Sequence, residues 1–242
     1  MAIMNDSDNS WVLQHGYQHV AVDPFVNPFS NSYVDPRITV KAVPYQAAKR
    51  IADVVISVFA LTICAIPMLI ISALVKLTSP GPVLFRQIRT GRGGRRFWVY
   101  KFRSMCDGAE QKRDEIMSKN EVSGPVFKIR NDPRVTWVGK WLRKFSLDEL
   151  PQFFNVLKGE MSVVGPRPPI PSEVESYLPH QFGRLAVKPG LTCLWQIQGR
   201  SNIPFERWVE LDLMYIDEMS FWRDMSIIVQ TIPAVISGRG AH

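Results

Sequence analysis

The residues best equipped for chemistry are two neighbouring carboxylates, Asp148 and Glu149, in the stretch "RKFSLDELPQFFNVLKGEMS". One reading is helix capping. Ser146 and Glu149 have the S-x-x-E spacing of a capping box. If Asp148 is the N-cap instead, Pro151 falls among the first four positions, whose N–H groups have no helical partner anyway. Leu150, Phe153, Phe154 and Leu157 then supply an apolar face, and Gly159 stands where a C-terminal cap belongs. Either start puts both acids at a helix N-terminus, which stabilises negative charge and can receive a phosphate. The second reading is catalysis. An ionised aspartate can attack phosphorus and form an aspartyl-phosphate, or hold Mg²⁺ together with substrate phosphates.

Capping alone explains such a pair in most proteins, so the surrounding cations matter. Arg143 lies just upstream, "VVGPRPPIP" presents Arg167 on a proline-bracketed loop, and "WQIQGR" presents Arg200 after a glycine turn. Arginine grips phosphate oxygens through paired N–H groups, and loops stiffened by Pro and Gly hold it still. Each arginine alone is a weak signal.

The elements that must position these groups follow from hydrophobic patterning. Val54 to Val75 is a run of 22 residues without a charge, long enough to cross a bilayer as a helix and apolar on every face. Pro67 lies near its middle and predicts a kink. Lys49 and Arg50 precede the run, while Lys76, Arg86 and Arg89 follow it, which favours keeping both flanks on the cytoplasmic side. A straight span and a bent, re-entrant helix both fit at this point.

Beyond it, "GPVLFRQIR" and "RRFWVYKFRSM" read as two strands joined by the turn "TGRGG". Arg86, Arg89, Arg92, Arg95, Arg96, Lys101 and Arg103 crowd this hairpin, interleaved with Phe97, Trp98, Tyr100 and Phe102. A nucleic-acid surface and an anionic membrane surface both suit that pattern, and the adjacent apolar run favours the membrane. Residues 106–120 read as an exposed charged helix. Val135, Val138, Leu142 and Phe145 follow helical spacing, and "PFERWVELDLMYIDEMSFWRDMSIIVQTIPAVI" holds two or three amphipathic helices rich in Trp, Phe and Met, suited to a core or to a membrane interface.

The architecture expected is therefore α+β and mostly helical. Residues 1–45 form a proline-rich leader without a core of its own, 46–80 the membrane helix, and 81–242 the catalytic domain. The leader carries Asp6, Asp8, Asp23 and Asp35 against Arg37 and Lys41, so the body is more basic than the net charge of +7 suggests. A basic body seeks an anionic partner. Cys64, Cys106 and Cys193 form no CxxC pair, which argues against structural zinc and a disulfide framework and for a reducing compartment. His15 and His19 have i,i+4 spacing, but in a polar leader they read as bystanders.

Four stretches together carry a family resemblance: "KRIADVVIS…AIPMLIIS", "SPGPVLFRQIRTGRGGRRFWVYKFRSM", "DPRVTWVGKWLRKFSLDELPQFFNVLKGEMSVVGPRP" and "VKPGLTCLWQIQGR". From about Lys49 to the C-terminus the chain resembles the bacterial sugar transferases, the monotopic phosphoglycosyl transferases. The resemblance implies transfer of a sugar-1-phosphate from a UDP-sugar to undecaprenyl phosphate with release of UMP, in exopolysaccharide or glycoconjugate synthesis. It implies a re-entrant helix broken at Pro67, and a catalytic domain on the cytoplasmic face of the bacterial inner membrane. Asp148 matches the family's nucleophile and Mg²⁺ ligand, and Glu149 its acidic partner. Arg143, Arg167 and Arg200 match its phosphate- and nucleotide-contacting arginines, and Lys101 the lysine of its "KFRSM" motif. Nucleic acid is not an expected partner, galactose or glucose is the expected sugar, and homo-oligomer formation stays open. Cys193 replaces a glycine common in the family, Ile66 replaces the small polar residue often found before the proline, and the multi-span N-terminal domain of larger relatives is not expected here.

Overall fold

The computed structural model describes residues 43–112, 131–199 and 203–238 throughout, strands at 2–4 and 11–13, and residues 116, 120, 121, 124, 126, 127 and 129 between them. Strands β1 (Ala2–Met4) and β2 (Trp11–Leu13) pair antiparallel. The rest of the expected leader as far as residue 42, with His15 and His19, lies outside the described residues.

Helix α1 (Val43–Thr78) begins well before the apolar run and continues through Pro67. Proline has no N–H, so the Ile63 carbonyl loses its helical donor. On either side, the Thr62 hydroxyl donates to the Val58 carbonyl and the Ser72 hydroxyl to the Met68 carbonyl, back-bonds that favour bending. The middle of α1 presents Phe59, Ile63, Ile66 and Leu69 outward.

Strands β3 (Leu84–Thr90) and β4 (Arg96–Phe102) form the expected antiparallel hairpin, with Phe85 opposite Lys101 and Arg89 opposite Phe97. Gly93 and Gly94, at φ 64° and 79°, take the positive φ values of the turn between them. The charged helix expected over 106–120 does not form across 106–112, which holds turns and a short 3₁₀ segment. Gly108 turns left-handed at φ 72°, and the Arg134 guanidinium occupies the Ala109 carbonyl at 2.9 Å. Most of 113–119 lies outside the described residues.

Helix α2 (Trp137–Lys144) is capped by Thr136, whose hydroxyl accepts from Gly139 N at 2.9 Å. It buries Val138 and Leu142 as the periodicity predicts. Gly139 lets the helix touch the hairpin exit, since a Cβ there would stand 1.9 Å from the Ser104 carbonyl oxygen. After a single 3₁₀ turn (Leu147–Glu149) come α3 (Gln152–Lys158), β5 (Ser162–Val164) and α4 (Pro171–Glu175). A 3₁₀ segment (Pro179–Ala186) leads to β6 (Gly190–Thr192), parallel to β5, and then to α5 (Leu194–Ile197), α6 (Phe205–Glu218) and α7 (Phe221–Ser237).

The main core joins Val156, Val164, Leu194, Phe205, Leu211 and Tyr215 from successive elements. A smaller one packs Ile71 and Val75 of α1 against Phe102, Val138 and Leu142. At the other end of α1, Lys49 donates to Asp224 of α7 at 2.8 Å and to the Val164 carbonyl at 3.0 Å. Arg50 donates to the Val156 and Leu157 carbonyls at the end of α3, and Asp53 accepts from Val163 N. Both ends of the apolar helix thus rest on one domain. The outward side of α7 carries Trp222, Val229, Ile232 and Ile236.

Candidate active site

Ser146 makes no side-chain cap. Its backbone is left-handed (φ 53°, ψ 23°), and among the described residues it is the one non-glycine with positive φ. The capping-box reading therefore fails: the left-handed turn aims the serine away from the N–H it would need to accept. Leu147–Glu149 close a 3₁₀ turn, with Glu149 N donating to the Ser146 carbonyl at 3.2 Å and Leu150 N to the Leu147 carbonyl at 3.3 Å. Pro151 cannot extend that ladder, and α3 proper starts at Gln152. The two acids sit one tight turn ahead of the helix, on backbone that is costly for a serine.

The face of α3 also differs from expectation. Phe154 is 47% exposed, while Gln152 and Asn155 are buried. Asn155 accounts for this: its amide donates to the Trp98 carbonyl (2.6 Å) and to Glu160 (2.7 Å), and its carbonyl accepts from Tyr100 N (3.2 Å). It satisfies the edge of β4 on both sides of Val99 and fastens the hairpin to the helix behind the acids. Gly159 ends α3 at φ 82°, the glycine cap the sequence indicates.

With β4 held there, Lys101 reaches Glu149, Nζ to Oε1 at 2.5 Å. Asp148 is 8% exposed, and among the described residues its carboxylate bonds to no other side chain. Burial raises its pKa to about 6, with Glu149's charge adding and those of Lys101 and Arg143 opposing. Burial also works against Glu149's charge, but Lys101, then Arg167 and Arg89, outweigh it and hold Glu149 below its ordinary value. One acid of the pair is firmly ionised and paired. The other is ionised near neutral pH and bonded to no other side chain among the described residues.

Both acids open into a cleft of about 1100 Å³ that Lys101, Arg143 and Arg167 also line. Arg200 lies outside the described residues; Gly199, just before it, turns at φ 145°. Arg86, Arg89, Arg103, Arg134, Glu173 and Gln196 line the same cleft. Alternation along β3 and β4 offered a signal for Arg89, since the register puts it with Gln87 and Lys101 on one hairpin face. Arg103 instead ties the hairpin to the end of α1, donating to the Ser79 carbonyl and hydroxyl, each at 2.8 Å. Arg134 is held by Asp132, with Nη2 to Oδ2 at 2.7 Å. Cys193 is buried against the main core, and burial pushes its thiol well above the ordinary range, so it behaves as a small apolar group.

The family described as "Bacterial sugar transferase" matches residues 44–238, from the start of α1 to the end of α7. The chain belongs to this family. It is similar to the galactosyl transferase CpsE of Streptococcus agalactiae serotype III, at 48% identity over 80% of this chain and 43% of the relative. A UDP-glucose:undecaprenyl-phosphate glucose-1-phosphate transferase of Klebsiella pneumoniae is 44% identical over 76% of this chain and 39% of its own length. The exopolysaccharide production protein ExoY of Rhizobium meliloti is 42% identical over 81% of this chain and 88% of its own. The chain thus spans under half the length of the first two and most of the third. Family membership covers the acid pair, the cleft cations and the apolar helix in one continuous match.

Proposed function

We propose that the chain transfers a sugar-1-phosphate from a UDP-sugar to undecaprenyl phosphate and releases UMP. The carrying observation is Asp148: a buried carboxylate, ionised near neutral pH and bonded to no other side chain among the described residues, facing a cleft of cations. In the first step a carboxylate oxygen of Asp148 bonds to the sugar-bearing phosphorus, and the bond from that phosphorus to the bridging oxygen breaks. UMP leaves with the oxygen. In the second step an oxygen of the lipid phosphate bonds to the same phosphorus, the lipid diphosphate-sugar forms, and Asp148 is regenerated. Arg143 and Arg167 grip phosphate oxygens, while Lys101 keeps Glu149 ionised and fixed beside the nucleophile.

The acid pair also fits Mg²⁺. That ion commonly takes one or two carboxylates and fills its remaining positions with substrate phosphates and water, and no group of three His, Cys, Asp or Glu is present among the described residues. Asp148 is the residue that would hold it, and bound there it would neutralise diphosphate charge.

The helix reading rests on its two anchored ends. Lys49 and Arg50 at one end and Ile71 and Val75 at the other touch the same domain, which favours a re-entrant α1 bent near Pro67 over a straight span. The domain then lies on the cytoplasmic face, at the headgroup plane where the acceptor phosphate is found. Galactose and glucose, named for two of the relatives, are the donors to try first.

Native protein and Asp148→Asn are to be compared for UMP release from UDP-galactose and UDP-glucose. Equal release from both proteins removes the assignment. Rapid quenching with donor alone should trap phospho-sugar on native protein and none on the variant. For topology, Ala48→Cys and Leu77→Cys in a Cys64→Ser background should both resist a periplasmic thiol reagent. Labelling of the first alone means a span.

A further inference from the structure

Arg167 is presented by "GPRPPIP", residues 165–171, a loop with few N–H groups of its own because Pro166, Pro168, Pro169 and Pro171 have none. Its carbonyls are tied from outside. Pro166 O accepts from Gly190 N at 2.8 Å, Pro168 O from Arg89 Nη1 at 2.9 Å, and Pro169 O from Thr90 N at 2.8 Å. Gly165 and Gly190 allow the first tie, since a Cβ on Gly190 would stand 2.1 Å from Gly165 N. The loop backbone is therefore fixed, but an arginine side chain has several further rotatable bonds.

We infer that Glu173 is a positioning residue for Arg167, holding its guanidinium toward the acid pair. The inference rests on the reading of Arg167 as a phosphate-gripping group. Glu173 is 3% exposed and lines the cleft. Its Oε2 accepts from Arg167 Nη1 at 3.1 Å and its Oε1 from the same nitrogen at 3.4 Å, while Oε2 also accepts from Ile170 N at 3.2 Å. The carboxylate is thus locked to the loop it serves. It engages one guanidinium nitrogen, and among the described residues Arg167 Nη2 and Nε donate to no other side chain. Those two nitrogens form the fork that phosphate accepts. A carboxylate gripping Nε and Nη2 would occupy the fork; this one, on Nη1, leaves it open.

Glu173→Gln keeps an acceptor for Ile170 N and removes the charge. The rate of covalent labelling by UDP-galactose or UDP-glucose should fall about tenfold, mainly as a raised KM, because a charge-assisted bond becomes a neutral one. The melting temperature should stay within about 2 °C, in line with a substitution that preserves the bond from Ile170 N. In an Arg167→Ala background the same substitution should change labelling less than about twofold, since its effect acts through the missing side chain. A native labelling rate for Glu173→Gln overturns the inference, as does an undiminished tenfold loss in the Arg167→Ala background. Native activity of Arg167→Ala itself overturns the underlying reading of Arg167, and this outcome is visible separately. Glu173→Ala, which also removes the acceptor for Ile170 N, should lose both stability and labelling, and its stability loss should persist without Arg167.

Discussion

Lys101 and Glu149, 48 positions apart, meet at 2.5 Å across the floor of the cleft, and the ammonium that holds Glu149 ionised also opposes protonation of Asp148. Lys101→Met should therefore move the acid limb of the labelling rate upward. In native protein the rate should fall as pH drops through about 6, where Asp148 takes its proton. Loss of a facing cation should raise that midpoint by about one pH unit or more. A pH–rate profile with an unmoved limb would separate Lys101 from the ionisation of Asp148.

Asp148 costs the fold stability. Its folded pKa, about 6, is above the ordinary aspartate value, so between the two the folded protein keeps a proton that the unfolded chain has released. Stability then falls as pH rises through this window and levels off above it. Asp148→Asn removes that cost, and at pH 8 in EDTA it should be more stable by about 2–3 kcal/mol, with the gap closing near pH 4. Denaturant titration at the two pH values checks this; an equal gap at both would show that the charge is not the cause.

Ser146 stores backbone strain next to Asp148. Ser146→Gly should keep the turn and change stability by no more than about 1 kcal/mol. Ser146→Val, whose branched Cβ resists positive φ, should cost about 1–3 kcal/mol and slow labelling as the turn shifts. Equal stability of the two variants would mean that the turn relaxes freely.

Asn155 is the joint between hairpin and helix. Asn155→Leu leaves the Trp98 carbonyl and Tyr100 N without their partner and should cost about 2–4 kcal/mol. It should also raise the labelling midpoint in the same direction as Lys101→Met, because Lys101 loses its seat. Stability loss with an unmoved midpoint would confine Asn155 to packing.

The anchored end of α1 can be tested through Asp224. Lys49 is nearly buried and pairs with Asp224 at 2.8 Å, so Asp224→Ala strands its charge and should cost about 3–5 kcal/mol in thermal unfolding of the detergent-solubilised protein. Asp224→Ala with Lys49→Met should recover much of that loss. Failure of the second substitution to recover stability would assign the cost to Tyr45 and Tyr215, which also donate to Asp224.

Features carried by neighbours in the chain were legible in the sequence. The apolar run, the hairpin with its glycine turn, the helical spacing around Val138 and Leu142, and the Gly159 cap each depend on a few adjacent residues, and each formed. Asp148 and Glu149, expected at a helix N-terminus, lie instead one 3₁₀ turn ahead of α3. The tertiary structure decided the rest. Ser146 and Glu149 have capping-box spacing, yet the left-handed turn set by the surrounding fold prevents the cap. Phe154 has the spacing of a core residue, yet Asn155 is the one buried, because the open edge of β4 gives its amide partners that no local pattern records. The same holds for the Lys101 bond to Glu149 and the ties on the Arg167 loop. Local propensity fixes which backbone a segment prefers, whereas the worth of a buried polar group depends on partners that only the assembled chain brings within bonding distance.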